Sequence, residues 1–101
     1  MKEWNEAEIL NSIQGGTFGL YLFTPMCGTC QVASRMLHIV EEIAYDKQLV
    51  KSNANFTVNL ARQYEVESVP CLLLFKNGIL VKKVYAFRSV PYLLEIIQKT
   101  L

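Results

Sequence analysis

No run of apolar residues in this chain is long enough to cross a membrane. The longest, such as Val69 to Phe75, fall far short of the ~20 residues a spanning helix needs. An excess of either charge is also lacking. Ten basic residues stand against nine acidic ones, the net charge is +1, and Lys82-Lys83 is the only adjacent basic pair. That balance predicts neither a nucleic-acid partner nor an anionic membrane surface. The first sixteen residues, MKEWNEAEILNSIQGG, contain no apolar core of a secretory signal. Cysteine is scarce, with three residues, two of them three positions apart. A secreted disulfide scaffold usually carries an even number at wide spacing. These absences predict a cytoplasmic protein whose close cysteine pair does redox or metal chemistry. Repeats, low-complexity tracts and linkers are missing as well.

What is present is a core. The 101 residues suit one compact domain over 1–101, and 51% of them are hydrophobic. Asn5 with Glu8 three positions on reads as a capping box, opening a helix that Gly15-Gly16 stops. Thr17 to Phe23 reads as a strand buried on both faces, ended by Pro25. Apolar residues from Ala33 to Ala44 recur at helical spacing, which predicts a helix from Cys27 to about Tyr45. A weak strand follows over Gln48 to Asn53, then a short helix with Thr57 as its cap. Pro70 precedes the apolar strand Cys71 to Phe75. Asn77-Gly78 predicts a type I′ hairpin turn, and Ile79 to Phe87 the returning strand. Ser89 caps a last helix, Val90 to Thr100. The order is α-β-α-β-α-β-β-α, an α/β fold with a four-stranded mixed sheet flanked by helices.

The stretch FTPMCGTCQ, residues 23 to 31, holds the chemistry. Cys27 and Cys30 are neighbours on a helix, ~5–6 Å apart at Cβ, within reach of a disulfide. Gly28 removes side-chain bulk between them. At the first turn of a helix, free N–H groups and the positive end of the dipole favour a thiolate. Cys27, at the very start, feels this more than Cys30. A purely structural bridge is one alternative, but a four-residue loop restrains the unfolded chain by only roughly 2 kcal/mol. Zinc is another. A closed site needs four ligands, and His38 lies about 12 Å along the helix from Cys30. An iron–sulfur cluster shared between two chains stays open on spacing alone.

With the pair placed after a strand and before a helix, and SVPCLLLFKNG following at 68–78, the chain resembles the thioredoxin family. The resemblance runs from about Asn5 to Leu101, with the family's first strand missing or very short. It implies that Cys27 is the nucleophile and Cys30 the resolving cysteine. It implies that Pro70 is the cis-proline facing them, with Val69 offering its backbone to a substrate segment. Met26 would stand beside the nucleophile, where the family often has tryptophan. Lys51 matches a lysine lying beneath the motif. Where the family often buries an aspartate behind the resolving cysteine, this chain has Tyr21, and a neutral hydroxyl is no base near pH 7. Thr29 replaces the proline of the common motif, and Arg35 stands where the family has a helix-kinking proline. The motif change predicts a potential less reducing than ~−270 mV.

The implied activity is thiol–disulfide oxidoreduction: a cytoplasmic reductase of disulfide-containing proteins, acting as a monomer without metal or bound cofactor. Electrons would come from a thioredoxin reductase or a low-molecular-weight thiol. A glutathione-linked, glutaredoxin-like enzyme and a non-catalytic interaction module are the competing readings. Cys71, next to Pro70, is either a small buried hydrophobe or a regulatory thiol open to glutathionylation.

Overall fold

A computed structural model describes residues 1–101. The elements are β1 (Lys2–Glu3), α1 (Glu6–Ser12), β2 (Phe18–Phe23), α2 (Gly28–Ile43), β3 (Leu49–Asn53), a 3-10 turn (Ala54–Phe56), α3 (Val58–Gln63), β4 (Cys71–Lys76), β5 (Ile79–Val84) and α4 (Val90–Thr100). The sheet is five-stranded, ordered β1-β3-β2-β4-β5. Strands β1, β3 and β2 run parallel, while β4 and β5 run antiparallel to their neighbours. The predicted fold class therefore stands, with one strand more than the four expected. The extra strand is only two residues long and polar, so it leaves no alternating pattern to read. Its register, Lys2 with Val50 and Glu3 with Lys51, is held by pairing to β3 and by Ser52 Oγ donating to the Trp4 carbonyl at 2.6 Å.

Side chains of β2 and β4 alternate between two layers, as the two-residue period of a strand requires. Phe18, Leu20, Leu22, Cys71, Leu73 and Phe75 pack with Ile9 and Leu60 beneath α1 and α3. Tyr21, Leu72 and Leu74 pack on the opposite face with Leu37, Val40, Leu93 and Ile97 of α2 and α4. Both central strands are thus covered on two sides, which is why they read as unbroken apolar runs.

The helix caps show where local signals suffice. Asn5 and Glu8 form the predicted capping box, at 2.8 and 3.0 Å, and Ser89 caps α4 through the Tyr92 N–H at 3.2 Å. Thr57 does not cap α3 with its side chain. Its hydroxyl turns back to the Asn53 carbonyl, and the carboxylate of Glu6, 54 residues away, accepts from the Leu60 N–H at 3.1 Å instead. The hairpin turn has both central residues at positive φ, Asn77 at 53° and Gly78 at 81°, as type I′ geometry demands. A β-carbon at Gly78 would lie 2.5 Å from the Ile13 carbonyl oxygen. Strand β5 ends at Val84, three residues short of the expected Phe87. Its partner is exhausted there: Val84 pairs with Leu72, and Pro70 has no N–H to extend the ladder.

Candidate active site

The cysteine pair sits where β2 hands over to α2. Thr24 and Pro25 turn the chain, with the Cys27 N–H donating to the Thr24 carbonyl at 3.3 Å. Cys27 is the N-cap of α2, in extended backbone, and Gly28 is the first helical residue. The helix therefore starts one residue later than expected, leaving Cys27 at its mouth. Cys30, in the first turn, is 3% exposed. The two sulfurs are at bonding distance with Cα atoms 5.2 Å apart. Cys27 Sγ accepts from the Cys30 backbone N–H at 3.2 Å and lies 3.3 Å from Thr29 Oγ1. One free helix N–H and one hydroxyl thus converge on a single sulfur. Gly28 is not needed for room, because a β-carbon there would meet no atom within 4 Å. As the first residue of the helix it faces open space.

Two surfaces flank the pair. On one side lies an apolar groove of about 390 Å³ between α2, Pro70 and the chain leading into α4, lined among others by Thr29, Val32, Met36, Phe87 and Arg88. The Val69–Pro70 bond is cis, and neither the N–H nor the C=O of Val69 finds a hydrogen-bond partner in the chain. Such free backbone groups beside a groove suit an extended polypeptide. Met26, 97% exposed, projects beside Cys27. Arg88, which sequence reasoning passed over, has φ 54° and holds its guanidinium 5.0 Å from the centre of the Tyr92 ring.

On the other side, a cleft of about 380 Å³ reaches Cys30 between Tyr21, Phe23, Ser34, Arg35 and Lys51. Tyr21 and Lys51 are cross-strand partners in the β2–β3 register, which brings Lys51 beneath the motif, its Nζ 5.8 Å from the Phe23 ring centre. The Tyr21 hydroxyl donates to the Cys30 carbonyl at 2.6 Å. Burial pushes its pKa up from 10.0 to about 12, because the ionised form loses its hydration.

Cys71 is next to Pro70 in sequence, yet strand alternation turns it to the sheet face away from Tyr21, among Ile9 and Leu60. It is fully buried. Its pKa is pushed up from 9.0 to about 11 by that burial, with Tyr85 and Lys83 offsetting part of the rise. No group of three or more His, Cys, Asp or Glu side chains converges as a metal site.

Comparison with known proteins gives a consistent result. The family model described as Thioredoxin matches residues 3–99. The thioredoxin-like protein YusE of Bacillus subtilis is 48% identical over 99 residues, covering 98% of this chain and 92% of that protein. A thioredoxin of Staphylococcus aureus is 29% identical over 100 residues, covering 95% and 93%. Among solved structures, oxidised mitochondrial thioredoxin 3 of Saccharomyces cerevisiae superposes with a TM-score of 0.84 at 22% identity, covering 98% of this chain and 94% of that one. A mutant thioredoxin of Halobacterium salinarum gives 0.85 at 22% identity, covering 98% and 88%.

Proposed function

The chain belongs to the thioredoxin family of thiol–disulfide oxidoreductases, and from this we propose that it reduces protein disulfides in the cytoplasm, with Cys27 attacking and Cys30 resolving. The observation that carries the assignment is the asymmetry of the pair. Cys27 sits at the mouth of α2 with the Cys30 N–H and the Thr29 hydroxyl aimed at its sulfur, while Cys30 is shut behind it. Donors that stabilise a thiolate make Cys27 the better nucleophile near neutral pH.

The reaction then runs in two exchanges. The Cys27 thiolate attacks one sulfur of a substrate disulfide, and the other sulfur leaves as a thiolate that takes a proton from solvent. Cys30 loses its proton and attacks Cys27 Sγ. That forms the Cys27–Cys30 bond and releases the second substrate thiol, so two electrons pass to the substrate. The unpaired Val69 backbone and the groove along Val32, Met36 and Pro70 hold the substrate segment, and Met26 gives it an apolar contact. Lys51 places a positive charge on the Cys30 side of the pair. The cytoplasm supplies the reducing surroundings in which the dithiol is regenerated, by a thioredoxin reductase or a low-molecular-weight thiol, and one copy of the chain suffices. No helix is long and apolar enough to cross a membrane. Cys71, buried and with its pKa raised, serves as a core residue in this scheme and not as a regulatory thiol.

Insulin reduction tests the proposal, driven once by a thioredoxin reductase with its nicotinamide donor and once by glutathione with its own reductase. Activity with the first, lost in Cys27→Ser, is expected. Activity only with glutathione would point to a glutaredoxin-like enzyme, and activity with neither to an interaction module.

A further inference from the structure

The cleft behind Cys30 has an unusual inventory. Its charged lining groups are Arg35 and Lys51, and no acidic residue reaches it. Neither cation has an ion-pair partner, since the chain's three ion pairs lie elsewhere. The lining side chains of Thr24, Gln31 and Ser34 likewise make no hydrogen bond within the chain, although Thr17 and Ser89 elsewhere do. Two unpaired cations and three free polar groups around one concavity form a surface complementary to a small, multiply charged oxyanion. Phe23 and Tyr21 close its inner wall, where the effective dielectric is lower than in water.

The cleft also meets a need that the exchange chemistry leaves open. Cys30 must shed a proton before it can attack Cys27, and it forms part of the cleft wall. The hydroxyl of Tyr21, which bonds Cys30, is committed to its carbonyl. We propose that this cleft binds a small oxyanion such as monohydrogen phosphate, held by Arg35 and Lys51, and that the bound anion takes the proton of Cys30 during resolution. The step balances: the Cys30 S–H proton passes to the anion, the thiolate attacks Cys27 Sγ, and the Cys27–substrate S–S bond breaks. The released substrate thiolate recovers a proton from the anion or from water. The binding half stands on the cleft alone. The proton-transfer half rests on the resolving role given to Cys30 above.

Phosphate and sulfate separate the two halves, because both are oxyanions of similar size and charge but sulfate cannot accept a proton near pH 7. Binding of each is followed by amide chemical shifts around Lys51 and Arg35 in a titration at constant ionic strength. Resolution is followed by mixing the reduced chain with neutral 4,4′-dithiodipyridine and timing the second release of pyridinethione. We expect saturable shifts with both anions. We expect phosphate to speed the second release by at least about ten-fold toward a plateau, and sulfate to suppress that gain competitively. Arg35→Met, at an exposed helix position, and Lys51→Met should weaken both saturations. Lys82→Met, on β5 at the far edge of the sheet, removes the same charge and should leave them intact. Shifts that stay linear in phosphate, or that survive in both cleft variants, would overturn the site. Saturable binding with an unaltered second release would overturn the proton transfer. Failure of the unaltered chain to reduce insulin counts against the reductase, and Arg35-dependent phosphate binding would then still support the cleft.

Discussion

Replacing Tyr21 by phenylalanine should make the chain less stable at neutral pH and more stable in strong alkali. The hydroxyl donates to the Cys30 carbonyl at 2.6 Å. As an interior helix carbonyl, that acceptor keeps its ordinary partner one turn on, so deletion costs the net value of one hydrogen bond, about 1 kcal/mol. For a chain of this size that lowers Tm by roughly 4–8 °C. The alkaline limb has the opposite sign. Below pH 10 the hydroxyl is protonated in both the folded and the unfolded chain, and its bond contributes in full. Between 10.0 and about 12 the unfolded chain releases the proton while the folded chain retains it, so rising pH favours unfolding. A raised pKa spanning that interval removes about 2 kcal/mol by its upper end. The two stability curves should therefore cross within the first pH unit or so above the 10.0 of the unfolded chain, with Tyr21→Phe the more stable chain beyond it. Urea unfolding followed by circular dichroism from pH 7 to 11.5 measures both limbs. A Cys71→Ala background keeps a free thiol from reshuffling the bridge in the unfolded chain. A difference between the two chains that stays constant over the whole range would refute the account of Tyr21.

Three further outcomes follow from the same geometry. In the fully reduced native chain at pH 7, a chromogenic disulfide should titrate two thiols quickly and the third only on unfolding, since Cys71 is fully buried and its pKa is pushed up to about 11; three fast thiols would contradict this. Asn5→Ala removes one half of the capping box and should lower stability by about 1 kcal/mol, seen as a reduced urea midpoint at unchanged slope; an unmoved midpoint would show that the box contributes nothing. Gly78→Ala forces a side chain into left-handed backbone at φ 81° and onto the Ile13 carbonyl, and should cost at least about 2 kcal/mol. Asn77→Ala, which keeps Gly78, should cost less; the reverse order would refute the close-approach argument.

Much of this molecule was legible in its residues because the signals are local. The Asn5 box, the Asn77-Gly78 turn and the Ser89 cap each depend on a few neighbours in the chain. The cysteine pair is of the same kind: three-residue spacing at a helix start brings the sulfurs together wherever the helix lies. Residues that act across the sheet were not legible. Nothing near Thr57 reveals that Glu6 will cap α3 in its place, because that bond exists only once α1 and α3 lie side by side. The pairing of Lys2–Glu3 with β3 is equally invisible in two polar residues.

By itself, then, the sequence determined the close cysteine pair at a helix start and the hairpin that follows it, through spacing and turn chemistry that do not depend on distant contacts, while its resemblance to the thioredoxin family pointed to Pro70. The tertiary structure alone decided that Cys71 turns away from the pair and that Arg35 joins Tyr21 and Lys51 at one cleft. Strand alternation sends Cys71 into the far core layer and Tyr21 under Cys30, and the β2–β3 register sets Lys51 beside Tyr21. Helix α2 then swings Arg35 over the same cleft. Residues 21, 35 and 51 share no local pattern, and only the packing of a helix on two parallel strands gives them a common site.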